Sequence, residues 1–170
     1  MPSSVLGRVI HVAGIVRIIS LVCALTIIFA SCAPWSEVEG TLSREPIVYL
    51  GIWRPEGQFS CMIGLIIFGF SVGRRKATRL VPDIAVLIAF SALVISSVRL
   101  YTDTARLARL PYGGIRFEGW EWTEPRWGLT LTLISSVVGL LATAVGVLHK
   151  IEGKLHIFST AATPGADNHG

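Results

Sequence analysis

The stretch WGLTLTLISSVVGLLATAVGVL, residues 127–148, runs for 22 residues without a charge. A helix needs about 20 predominantly apolar residues to cross the ~30 Å hydrocarbon core of a bilayer, so this run reads as a membrane span. Three further stretches share its character: residues 12–33, 58–73 and 80–100. The second of these gives only roughly 24 Å of helix and spans if Arg74 and Arg75 reach back to the interface. The 170-residue chain is 52% hydrophobic and 15% charged, where a soluble domain has about a quarter of its residues charged. That balance excludes a water-soluble globular domain. The sequence predicts an all-α integral membrane protein, a four-transmembrane-helix bundle with a small extracytoplasmic β/loop cap, in which residues 1–158 form one domain. Residues 159–170, small and polar with nothing to bury, read as a disordered tail.

Four spans put both termini on one side, and the placement of cations says which. The net charge is +4, yet the Lys and Arg residues lie mostly at the ends of apolar runs. That pattern sets orientation in a bilayer and does not point to nucleic acid. With the N-terminus inside, the inner segments hold seven cations and the outer loops seven. Density breaks the tie. Gly73-Arg74-Arg75-Lys76-Ala77-Thr78-Arg79 packs four cations into a short turn between two spans, and short loops dominate the positive-inside bias. The expectation is a multi-pass protein of the cell membrane with both termini cytoplasmic. The start also has features of an export signal, with Arg8 and Arg17 near the apolar run and Ala30-Ser31-Cys32 behind it. Cleavage there would leave Cys32 lipidated. Because the run exceeds the ~7–15 residues of a signal core and further spans follow, a retained helix is expected.

Trp35, Trp53, Trp120, Trp122 and Trp127 fall in the two outer loops, as do Tyr49, Tyr101 and Tyr112. Aromatic belts normally decorate both interfaces, so a one-sided distribution predicts an outer aromatic cap. Residues 47–53 are β-branched and aromatic between Pro46 and Pro55, and read as a strand. Residues 114–122 read as a second strand, and the two loops are expected to pair in a small sheet. Trp35, Gly51-Ile52-Trp53 and Cys61 partly resemble the first extracellular loop of claudin-like four-helix proteins, in which a Trp and a Gly-Leu-Trp precede two disulfide-bonded cysteines. The resemblance implies a sheet above the bundle and carries no function. Glu56 stands where the first of those cysteines would be.

Ionisable residues inside a span point to function by default. Here they are Arg17 and Asp83, both near the cytoplasmic side, and an intramembrane ion pair between them is expected. A proton or ion relay needs further acidic or His residues deeper in the spans. Glu118, Glu121 and Glu124 interleave with Trp120 and Trp122 but read as a solvated turn, partly neutralised by Arg116 and Arg126. His11, His149, His156 and His169 lack metal-ligand spacing, and no phosphate-binding loop or nucleophile motif occurs. No catalytic residue, cofactor or metal is therefore expected.

Small residues carry a stronger signal. Ala85, Ala89, Ala92 and Ser96 line one face of span three, and Ser135, Gly139, Ala142 and Gly146 line one face of span four. Gly69-x-x-x-Gly73 adds a third small face. Lipid gives helices no hydrophobic drive to associate, so close backbone approach at small residues does that work. The stripes of spans three and four are expected to pack together. Cys32 ends span one and Cys61 begins span two, so both reach the outer side, where disulfides form; Cys23, mid-span, is expected to stay a thiol.

These readings converge on a non-catalytic accessory, assembly or scaffold subunit of a membrane complex. Its partners would be the lipid bilayer and other membrane proteins or further copies of itself. The alternative is a small transporter or a component of an oligomeric channel. The topology is directly testable. With Cys introduced at Thr41 and at Thr78, an impermeant thiol reagent on intact cells labels position 41 and spares 78; the opposite result inverts the orientation.

Overall fold

The computed structural model describes residues 3–38, 47–73, 80–107 and 123–161. It has four helices, α1 (Ser3–Ser31), α2 (Pro55–Gly73), α3 (Val81–Leu107) and α4 (Trp127–Ala161). Each is long and apolar enough to cross a membrane, over His11–Ser31, Pro55–Gly73, Val81–Asp103 and Trp127–Gly153. Three short strands, β1 (Pro34–Val38), β2 (Ile47–Leu50) and β3 (Thr123–Pro125), form an antiparallel sheet in the order β2-β1-β3. The sheet joins the outer end of α1 to the start of α4.

Several boundaries differ from the sequence reading. The second helix begins at Pro55, three residues before the predicted span, because Pro suits the first helical turn and the Gln58 amide bonds the Arg54 carbonyl at 3.0 Å. Its 19 residues give about 28 Å, enough to span without help from Arg74 or Arg75. The first-loop strand stops at Leu50, and Gly51–Trp53 forms a 3-10 turn closed by the Arg54 amide on the Gly51 carbonyl at 2.9 Å. The predicted strand at 114–122 lies outside the described residues; Thr123–Pro125, just after it, pairs with β1. The last helix continues to Ala161, so residues 159–161 are helical and not tail, and 162–170 lie outside the described residues.

Large apolar side chains point outward. On α1, Ile15, Ile18, Val22, Leu25 and Phe29 are all exposed, at alternating spacings of three and four that trace a single stripe. The opposite face carries Ser20, Cys23, Ala24, Ile27 and Ala30, all buried. The same inversion holds on α4, where Ile134, Val138, Leu141 and Val145 are exposed while Thr132, Ser136, Gly139 and Thr143 are buried. In water such a surface would be a large aggregating patch, whereas lipid solvates it and leaves small residues to bring backbones together. Several buried hydroxyls are satisfied locally. Thr132, Ser136 and Thr143 donate to carbonyls one turn back on α4 at 2.9, 2.7 and 2.7 Å, and Ser20 donates to Val16 at 2.8 Å.

Missing side chains set three of the four helix seams. A Cβ on Gly139 would lie 2.3 Å from the ring of Phe90 on α3, a fully buried residue with nowhere to move. A Cβ on Gly146 would lie 3.0 Å from Val16 of α1, and one on Gly64 of α2 would lie 3.0 Å from Ile28 of α1. The stripe of α4 is thus shared between α3 and α1, which corrects the expected stripe-on-stripe contact. The buried line of α3 is Asp83, Val86, Phe90, Leu93 and Ser97. Ala85, Ala89, Ala92 and Ser96 sit half-buried, about 100° further round the helix. Among the described residues the expected Gly69-x-x-x-Gly73 contact is not made, since nothing there comes within 4 Å of a Cβ at either glycine. The α2–α3 seam is the loosest of the four.

Gly139→Leu should therefore destabilise the bundle by roughly 1–3 kcal/mol, the usual cost of overpacking. Val138→Leu, on the exposed face, should leave the melting temperature in detergent nearly unchanged. Equal stability of the two variants would remove Gly139 from the α3–α4 contact.

Candidate functional site

Three groups of residues hold the two ends of the bundle, and the outer one is built around Trp35. The β1–β2 register shifts between Pro34 and Ser36, leaving Trp35 as the extra residue of a bulge. Bulges re-aim side chains, and this one turns the indole into the protein, where it is 1% exposed. Its Nε1–H donates at 2.8 Å to the Ala30 carbonyl, which also accepts the Ala33 amide at 3.1 Å as α1 ends. Glycine makes the room on both sides. A Cβ on Gly51 would sit 2.3 Å from the indole nitrogen, and one on Gly128 would sit 2.9 Å from Cδ1. Backbone bonds complete the joint, with the Gly51 amide on Ala33 at 3.0 Å and the Arg126 amide on Trp35 at 2.9 Å. A salt bridge from Arg126 to Glu37 of β1 ties the start of α4 to the sheet.

The other tryptophans behave differently. Trp53 is 66% exposed, beside Tyr49 and Val48, which are also exposed; the Arg54 guanidinium lies 6.0 Å from the Tyr49 ring. Trp127 is exposed and meets Phe29 of α1 with ring centroids 6.2 Å apart. Trp120 and Trp122 lie outside the described residues, as do Glu118 and Glu121. Sequence reasoning placed Trp35 in the surface cap. The available signal was its position two residues after the end of a span, beside the small residues Ala30, Ala33 and Gly51.

At the opposite end the expected Arg17–Asp83 pair is not formed. Arg17 instead donates from Nε to the Ser71 carbonyl at 2.8 Å and from a terminal nitrogen to the Val72 carbonyl at 3.1 Å. A planar guanidinium satisfies two adjacent carbonyls at once, and a cation suits the negative end of the α2 dipole. Asp83, in the first turn of α3, is bridged by Lys150 of α4. The two side chains are only 6% and 13% exposed, so this is a largely buried ion pair between α3 and α4. Nothing in the sequence marks Lys150 beyond its charge at the end of an apolar run. Its reach back along α4 to a carboxylate on another helix has no sequence signature. His149, beside it, lies 4.0 Å from Glu152, three residues further along α4.

Cys32 is exposed in the turn after α1, Cys61 is partly exposed on α2, and Cys23 is buried; all three are free thiols in this structure. Among the described residues no group of three His, Cys, Asp or Glu side chains is placed to hold a metal ion. Comparison of the chain with protein-family models, with curated proteins and with solved structures gives no match.

The Asp83–Lys150 pair should show strong coupling. Asp83→Asn, which leaves the Lys150 ammonium without its carboxylate, should cost about 3–5 kcal/mol, and the double variant with Lys150→Met should cost clearly less than the sum of the two single variants. Arg17→Met combined with Asp83→Asn should be additive within about 0.5 kcal/mol. Thermal denaturation in detergent measures both cycles, and coupling of Arg17 to Asp83 would restore the pairing read from sequence.

Proposed function

We propose that this protein is a non-catalytic accessory, assembly or scaffold subunit of a membrane complex, inserted in the cell membrane with both termini cytoplasmic. The observation that carries the reading is the exposed aromatic pair Tyr49 and Trp53, on β2 and the turn that follows it. These side chains are exposed, yet they stand on a strand and turn that Trp35 and its neighbours fix to the ends of α1 and α4. A rigid platform presenting an exposed tryptophan loses little conformational entropy on docking, and buried Trp and Tyr dominate interface energetics. Within the bilayer, the open Gly69 and Gly73 on α2 offer a surface where a partner helix approaches closely. The partners are then other membrane proteins or further copies of this chain.

The buried Asp83–Lys150 pair favours a second reading, a small transporter or a component of an oligomeric channel, since intramembrane charge often marks an ion path. Ion flux in proteoliposomes that is lost in Lys150→Met would support it.

The platform reading is tested by a photoreactive amino acid at position 53 in the native membrane. It should give a discrete protein adduct, with this chain or with a partner of defined mass, whereas a probe at Ile88 on the exposed face of α3 should label lipid. Trp53→Ser should weaken co-purification of that same adduct partner about 30-fold, as for loss of a ~2 kcal/mol hot spot. Labelling of lipid alone from position 53 would reduce the aromatic face to an interfacial anchor.

A further inference from the structure

Two separate chains of contacts bring Cys61 beside Cys32. The first runs through the helices. Gly64 of α2 abuts Ile28 of α1, its Cβ position lying 3.0 Å from Ile28 Cγ1, 3.3 Å from Ile27 Cγ2 and 3.4 Å from the Ala24 carbonyl. The two helices run antiparallel, as the bonds from Arg17 to Ser71 and Val72 at their other end require. Moving outward from that contact, Cys32 is four residues after Ile28 and Cys61 is three before Gly64. Residues three and four apart share a helix face, and the turn after α1 keeps the helical course, with the Cys32 amide bonded to Phe29 at 3.0 Å. At 1.5 Å per residue the two cysteines stand about 6 and 4.5 Å beyond the contact, nearly level.

The second chain runs through the cap. Ala33, the neighbour of Cys32, accepts the Gly51 amide at 3.0 Å. Gly57 of α2 is packed on Gly51, with its Cβ position only 1.9 Å from the Gly51 carbonyl oxygen. Cys61 lies one turn further along α2 on the same face as Gly57. Both routes end at the same place, and solvent reaches it, because Cys32 is exposed and Cys61 partly so.

We infer that Cys32 and Cys61 form an intramolecular disulfide on the outer side of the membrane, a staple across the α1–α2 pair that closes the loop carrying β1, β2 and Trp53. This rests on the orientation given under the proposed function, which places both thiols outside the reducing cytosol. The oxidant is a disulfide, of a protein or of a small thiol. The Cys32 thiolate, the more exposed, attacks it to give a mixed disulfide and releases one thiol. The Cys61 thiolate then attacks the Cys32 sulfur and releases the second. The two protons lost by the cysteines end on the two thiols of the reduced oxidant. Cys23, buried on α1, takes no part.

Mass spectrometry of membranes quenched in acid and alkylated without reductant decides the matter. The expected result is a linked peptide pair containing Cys32 and Cys61, with alkylation at Cys23 alone after denaturation. Reductant should also lower the melting temperature of the purified protein by several degrees, and should leave that of Cys32→Ser unmoved. Full alkylation of Cys32 and Cys61 in cell-derived membranes overturns the bond. Oxidised glutathione added to the purified protein then separates the causes: linkage there leaves the geometry intact and removes the orientation, while no linkage removes the geometry.

Discussion

The indole of Trp35 is the point on which the outer half of the molecule depends. Three chain segments far apart in sequence meet there: the end of α1 through the Ala30 carbonyl, the turn after β2 through Gly51, and the start of α4 through Gly128. None of the three strands exceeds five residues, and strands this short are marginal without further packing. The indole supplies that packing, and its buried N–H finds its partner in the Ala30 carbonyl at the end of α1. The bulge that aims it inward is therefore the local feature from which the shape of the cap follows.

Below the cap the bundle reverses the rule of soluble proteins. Its exterior is Ile, Val, Leu and Phe, and its seams are Gly, Ala, Ser and Thr. Where Phe90 does enter the interior, it fits the space left by Gly139. The charged contacts between elements lie at the two ends. Arg126 and Glu37 join α4 to the sheet on one side, while Arg17 holds the end of α2 and Lys150 holds the start of α3 on the other. The ends are thus fixed by directional contacts and the middle by shape. The α2–α3 seam, without a glycine contact of the kind found at the other three, is the least tightly closed.

This division explains which readings of the sequence succeeded. The four helices were legible because length and apolarity suffice to identify them. The small-residue face of α4 was legible because glycine and hydroxyl residues recur there at helical spacing. The partner of that face was not, since Gly139 meets a Phe that belongs to no small stripe. Arg17 and Asp83 were correctly picked out as charges within or beside spans, but each pairs elsewhere, Arg17 with carbonyls and Asp83 with a lysine 67 residues away. Long cationic side chains reach about a helical turn in any direction, so sequence position alone leaves their partners open.

By itself the sequence determined the surface chemistry of this protein: four apolar helices, loops rich in aromatic residues and a cation-dense segment between α2 and α3. Those properties follow from how much apolar surface each segment carries, which needs no knowledge of neighbours. Only the tertiary structure decided which way each helix faces, why Trp35 turns inward while Trp53 stays exposed, and which charges meet. In a helix meant for lipid both faces are apolar, so hydrophobicity does not mark the inner one. Side-chain size and the reach of a few polar groups choose it, and both acquire meaning only against the helix that lies opposite.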